Sequence, residues 1–202
     1  KGSPYVNKFL SVFDEMNFKK YDVSQLDFFP YLTVSDDAAT KEKDTKVGAE
    51  VFWKIDSSKQ LNATFNPDFG QVESDELVVN FSATETYYSD KRPFFAENQS
   101  MFEVQGYQMF YVINTRRIGA APDYNCSSLS SNLIPLCNAN KKGTTDIDLA
   151  VRYIQQTENL DFGFLGASEK DEEFSQGRDF YATKLRKTNK NFSVGYLGTY
   201  VE

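Results

Sequence analysis

The side chains best suited to chemistry lie in the middle of the chain. Asp68, Glu73, Asp75, Glu76, Glu85, Asp90, Glu97 and Glu103 crowd into one polar stretch. Two facing carboxylates are the equipment of glycoside hydrolysis. Clustered hard oxygens are also what Ca²⁺ needs. The spacing fits neither an EF-hand loop nor a nonapeptide calcium repeat. The whole chain carries 29 acids, so the local excess is mild. The reading that weighs most is therefore a set of solvated loop charges balanced by Lys91 and Arg92. Asp68, Glu73, Asp75 and Glu97 are the acids carried forward as binding candidates. No cofactor is expected, with Ca²⁺ or another cation as the alternative these acids could hold. A glycosidase built on two of these four acids is the least supported reading, and no catalytic residue is assigned.

Two small basic foci stand out in this acidic chain: Lys91-Arg92-Pro93-Phe94-Phe95 and Arg116-Arg117. A planar guanidinium grips a carboxylate with two parallel hydrogen bonds. These arginines are expected to lock the acidic middle segment onto neighbouring strands. Ligand binding through Arg92, Arg116 and Arg117 is the alternative. Cys126 and Cys137 enclose a Ser/Asn-rich loop. In an oxidising compartment the simplest reading is a disulfide, stabilising by about 2–3 kcal/mol in the chain-entropy model. Two free cytosolic thiols are the alternative. Asn-x-Ser/Thr sequons at Asn62, Asn80, Asn98, Asn125 and Asn191 carry little weight in a chain this rich in Asn and Ser.

Composition removes several function classes. The chain has 202 residues, no His and two Cys. Without His there is no Ser-His-Asp or Cys-His nucleophile system. Two Cys cannot close a four-Cys zinc site. A net charge of −7 argues against binding nucleic acid through a basic surface. Aromatic residues make up 15%, too many for a solvated disordered chain. No run of about 18 apolar residues is present, so no transmembrane helix is expected. A membrane β-barrel stays open as an answer, because its strands are short and only half apolar. The chain starts at Lys1 and ends in an alternating strand, which reads as a fragment of something longer.

The elements that position these residues are strands. The first stretch, 1–24, reads as an irregular or short helical segment, with Phe9, Val12, Phe13 and Met16 at helical spacing. Residues 25–66 read as the first hairpin strands. Leu26 to Val34 alternates, with Pro30 demoting it to an edge or bulged strand. A charged loop is expected over 35–46. Val47, Ala49, Val51, Trp53 and Ile55 then share one face, with a turn at 56–59 before Leu61, Ala63 and Phe65. Residues 67–105 form the polar signature segment. Residues 106–202 hold a strand at 108–113, a long Cys-containing loop at 120–145, and further antiparallel strands. In the first of these, Ile147, Leu149, Val151 and Tyr153 are expected to share a face opposite Asp148 and Arg152.

The last four strands are joined by short, long and short connections, which is the loop rhythm of an outer-membrane barrel. A soluble antiparallel sheet with one wet face gives the same alternation. On pattern alone the soluble sheet weighs more.

A longer motif changes that order. Asn66-Pro67-Asp68-Phe69-Gly70-Gln71-Val72-Glu73-Ser74-Asp75 is followed by Val79-Asn80, Glu85-Thr86 and Lys91-Arg92-Pro93-Phe94-Phe95-Ala96-Glu97. Phe110-Tyr111 and Arg116-Arg117-Ile118-Gly119 come next. Together they resemble the signature of a little-characterised bacterial family of unknown function. Its members join a carbohydrate-binding-like domain to an outer-membrane-type β-barrel. The resemblance implies an all-β antiparallel meander, part of an outer-membrane-type barrel, with 67–105 as an inward or covered plug. It implies a bacterial outer-membrane location, with periplasmic or secreted as alternatives. The implied partners are outer-membrane lipid and glycans, not nucleic acid. A transport or surface-display role follows from it. A carbohydrate-binding module stacking glycans on Trp53, Tyr87, Tyr88, Phe94 and Phe95 is the alternative, and a glycoside hydrolase component the second.

Overall fold

The computed structural model describes residues 23–37, 42–67, 90–104, 110–111 and 113–202. The helix expected near the N-terminus and most of the signature decapeptide lie outside the described residues.

Seven strands form one antiparallel sheet in chain order. They are β1 (Gln25–Asp37), β2 (Glu42–Asp56), β3 (Lys59–Phe65), β6 (Ile147–Gln156), β7 (Leu160–Glu169), β8 (Asp179–Thr188) and β9 (Ser193–Val201). A separate two-residue pair joins β4 (Glu103–Val104) to β5 (Phe110–Tyr111). Of the expected strand at 108–113, Phe110 and Tyr111 are paired, and 108, 109 and 112 lie outside the described residues. Among the described residues the large sheet is an open meander with β1 and β9 as its edges. Pro30, which cannot donate to a ladder, sits in an edge strand where that loss is tolerated. No helix among the described residues is long and apolar enough to cross a membrane, which says nothing about strands.

Turns alternate along the meander. Short turns at 57–58, 157–159 and 189–192 lie at one end of the sheet. The connections 38–41, 66–146 and 170–178 lie at the other. The first of these is shorter than expected. Both strands continue through the charged stretch, pairing Ser35 with Asp44, Asp36 with Lys43 and Asp37 with Glu42. Backbone pairing does not depend on side-chain polarity, so the ladder continues through charged positions.

Register fixes what each face carries. One face shows Leu26, Phe28, Pro30, Leu32 and Val34 from β1, matched by Trp53, Val51, Ala49, Val47 and Thr45 from β2. It continues through Leu61, Ala63 and Phe65 to Tyr153, Val151 and Leu149. It ends in Phe162, Phe164 and Gly166 beside Leu185, Thr183 and Tyr181, then Tyr196, Gly198 and Tyr200. We call this the outer face. Its rings pack on one another: Tyr153 lies 5.9 Å from Phe162 and Tyr181 stacks 6.3 Å from Tyr200. The opposite, inner face carries Asp27, Glu50, Lys54, Gln60, Asn62, Arg152, Asp161, Glu169, Lys184 and Arg186 among its residues.

The buried core lies on the inner, more polar face. Phe94, Phe95, Met101, Phe102 and Ile118 come from the segment between β3 and β6. They pack on Ile147, Ala150, Ile154, Leu165, Ala167, Phe180 and Ala182 of the sheet. The strands make room with small residues. A Cβ at Gly163 would come within 2.9 Å of Met101 Cγ and 3.3 Å of Phe102 Cζ. Ile147 belongs to this core, not to the face of Leu149. A bulge between Ile147 and Leu149 makes Asp148 the extra residue, so Ile147 is turned inward and buried while Asp148 is exposed.

Replacing Gly163 by Val should overpack this contact. We expect a loss of about 1–3 kcal/mol, with new protease cleavage inside 90–104 of the intact protein. A Val variant as stable and as resistant as the parent would show that the segment does not depend on this gap.

Candidate functional site

A segment without long helices or strands cannot satisfy its own backbone, so its carbonyls need outside donors. Here three arginines supply them. Arg92 stands just before the short helix α1 (Pro93–Ala96). Its guanidinium grips Asp90 with two parallel bonds, Nε to Oδ1 at 3.0 Å and Nη2 to Oδ2 at 2.7 Å. The same group donates to the carbonyls of Ile118 at 2.7 Å and Thr115 at 2.8 Å. Thr115 Oγ1 completes the carboxylate, donating to Asp90 Oδ2 at 2.8 Å. Both side chains of the pair are almost fully buried. The guanidinium lies 4.3 Å from the Phe95 ring centre, a cation–π contact.

Arg152 reaches up from the inner face of β6. It donates to the carbonyl of Phe94, to that of Glu97 at 2.6 Å, and to Glu97 Oε2 at 2.5 Å. These carbonyls end α1, where backbone acceptors have no partner within the helix. Asn62 and Gln60 of β3 bind the same carboxylate, at 2.6 and 3.0 Å. Glu97 therefore ties α1 to two neighbouring strands.

The third lock is Glu169 at the end of β7. It accepts from Arg178 Nε at 2.8 Å and from the backbone N–H of Gly119 at 2.7 Å. Gly119 has φ +81°, a left-handed conformation that glycine takes without strain. A side chain there would also press on Arg92 Nη1 and the Thr145 carbonyl, each 3.3 Å from an added Cβ. Further along the same rim, the Glu172 carboxylate hydrogen-bonds Lys142 and raises its ammonium above the ordinary 10.5. That pair's small contribution is complete below 10.5 and is lost only as pH climbs through the raised value.

Arginine locks are therefore present, but the described partners of Arg92 are Asp90 and the 115–118 turn, and it is Arg152 of β6, not the three expected arginines, that ties α1 to the sheet. Arg116 and Arg117 lie in a 3-10 turn, Thr115–Arg117, which Asn114 caps through the Arg116 N–H at 3.3 Å. The flanking carbonyls of Thr115 and Ile118 are what Arg92 uses, so this motif enters the lock through its backbone. Of the four candidate acids, Glu97 is placed against Arg152, and Asp68, Glu73 and Asp75 lie outside the described residues. Among the described residues no three His, Cys, Asp or Glu side chains converge as metal ligands would. Phe94 and Phe95, offered as glycan-stacking rings, are buried at 1% and 2% exposure and present no face to a sugar. Tyr87 and Tyr88 lie outside the described residues. Cys126 and Cys137 form a disulfide, with Cα atoms 5.7 Å apart, between a 3-10 turn and the short helix α2 (Ile134–Ala139).

Sequence reasoning placed Arg152 on a polar face but gave it no role, and it missed Glu169 and Arg178. The one available signal was charge on strands that otherwise carry apolar residues. A family model described as "Domain of unknown function (DUF5916)" matches residues 23–149. The chain belongs to this family. The matched residues run from the start of β1 through Asp90, Thr115 and Ile118, which Arg92 binds, to the first residues of β6. Comparisons with curated proteins and with solved structures found no match.

Removing one partner of a buried pair strands the other charge, which costs about 3–5 kcal/mol. Asp90→Ala should therefore destabilise the intact protein by about that much in urea unfolding. Glu97→Gln leaves Arg152 its two carbonyl acceptors and an amide oxygen in place of the carboxylate, so it should cost less, about 1–2 kcal/mol. Equal losses for the two variants would refute this ranking.

Proposed function

We propose that the sheet forms part of the wall of a bacterial outer-membrane β-barrel. Residues 90–104 and 113–119 are held on its lumen side, and the protein serves transport or surface display. One observation carries this reading: the core lies on the sheet's polar face while the apolar face stays uncovered among the described residues. A water-soluble sheet does the reverse, packing its apolar face and wetting the other. Thirteen of the exposed large hydrophobic side chains, from Leu26 in β1 to Tyr200 in β9, share the outer face. Soluble monomers rarely expose contiguous apolar patches beyond a few hundred Å².

The dimensions agree. β6, β7 and β8 have ten residues each, about 33 Å of extended chain. Tilted by about 40°, such a strand rises about 25 Å, the height of the apolar band of outer-membrane barrels. Trp53, Tyr153, Phe162 and Tyr196 lie within a few residues of the short turns, and Tyr181 and Tyr200 toward the other end. This arrangement fits aromatic girdles at two interfaces. Irregular backbone is tolerated at membrane depth only where protein or a lumen covers it. Arginine-locked carbonyls on the inner face meet that condition. The occupied inner face fits an occluded interior better than an open pore.

Nitroxide labels at Val51 and Val194 on the outer face, and at Lys54 and Thr199 on the inner, test this in the intact protein reconstituted in bilayers. The outer pair should be accessible to oxygen and shielded from a water-soluble nickel reagent, with the inner pair showing neither lipid signature. An intact protein that stays monomeric in water without detergent would overturn the reading.

A further inference from the structure

A cavity of about 740 Å³ opens at the short-turn end of β8 and β9. Leu185, Val194 and Tyr196 supply an apolar wall from the outer face, with Phe192 in the adjoining turn. Lys187 and the side chains of Asn159 and Asn189 stand at its rim. Tyr196 lies along β9 away from the turn, with its hydroxyl against Gly198, where any Cβ would collide with it. The ring thereby floors the cavity and leaves the turn end open.

Lys46, Lys59 and Lys142 each hold a carboxylate. Neither Lys187 nor Lys190, the exposed lysine in the same hairpin turn, makes a salt bridge among the described residues. Lys187 lines the cavity, and Lys190 and Glu158 sit in the adjoining turns without lining it. In a chain of net charge −7, the Lys187 ammonium therefore stands at the mouth of an apolar groove, with Lys190 in the adjoining turn.

We infer that this groove is a binding site for one anionic glycerophospholipid. The acyl chain lies on Leu185, Val194 and Tyr196, and the headgroup phosphate meets Lys187, Lys190 and the two Asn amides. The inference rests on the barrel reading, which puts the outer face in lipid and the short turns at the membrane surface. A long lysine stem covers apolar surface while its head reaches the interface, and each lysine near the surface strengthens the attraction for an anionic headgroup.

Native mass spectrometry of the intact, detergent-purified protein titrated with phosphatidylglycerol tests it. One lipid per chain should be retained preferentially over phosphatidylcholine. The Lys187→Gln, Lys190→Gln double variant should weaken retention by about tenfold. Lys170→Gln, an exposed lysine at the opposite end, should leave it unchanged. Leu185→Gln should also weaken retention, as inorganic phosphate binding alone would not require. Equal retention by the double variant and the parent overturns the lipid site. So does displacement by inorganic phosphate with no acyl requirement. The nitroxide labels separate the two levels: lipid-exposed labels with no lysine effect remove only this site, whereas water-exposed labels remove the barrel reading with it.

Discussion

The buried guanidinium of Arg152 is the constraint on which the inner face depends. It stands in mid-strand, 3% exposed on its side chain, and burial alone disfavours its charge. It is stabilised only because α1 turns its last carbonyls and the Glu97 carboxylate toward it. The dependence is mutual. A four-residue helix cannot satisfy its own terminal acceptors and is too short to persist alone. Arg92 does the same for the Thr115–Ile118 turn. Each arginine thus converts an irregular stretch of chain into a fixed surface whose apolar side chains can pack. Phe94, Phe95 and Ile118 enter the core because polar groups beside them are already matched.

This arrangement explains how a sheet with charged residues on one face can bury that face. Ala150, Gly163, Ala167 and Ala182 leave room for the segment's large side chains. Charges around the segment are directed to partners: Asp161 to Arg186 at 2.7 Å and Glu169 to Arg178. The inner surface is therefore a mosaic, apolar where the segment lies and ion-paired around it. Hydrophobic burial supplies the driving force. The ion pairs specify which stretch of the segment lies over which strands, since a buried pair is weak as a source of stability but severe against mismatched partners.

Much of the sheet was legible because alternation with period two survives in single strands. The turns at 57–58, 157–159 and 189–192 and the pairing around them follow from Asp-Ser-Ser, Glu-Asn and Asn-Lys between apolar runs. Three features were not legible. The strands run on through charged residues 35–37 and 42–46, because ladder bonds are made by backbone regardless of side chain. Ile147 changes face through a bulge that no residue type announces. The partners of the locks lie far apart in the chain, as with Arg152 and Phe94, 58 residues distant. Pattern can mark Arg92 as a lock, but only the fold can say that the acceptors are carbonyls near Arg116 and Arg117 and not their side chains.

Alternation alone was also blind to the point that matters most for function. A sheet reading apolar-polar-apolar has two faces, and the same letters describe a soluble sheet and a barrel wall. What distinguishes them is which face holds the core. Outward burial would have placed Val151, Phe164 and Tyr181 in one cluster. The cluster instead gathers Ala150, Leu165 and Ala182, one residue out of phase on the same strands. A one-residue change of phase exchanges every side chain between faces, so this is a difference of whole surfaces. An apolar surface spanning seven strands, facing water, would favour association with almost anything apolar. A medium as apolar as the surface removes that penalty without any covering protein, and the aromatic residues toward both ends suit the boundary of such a medium.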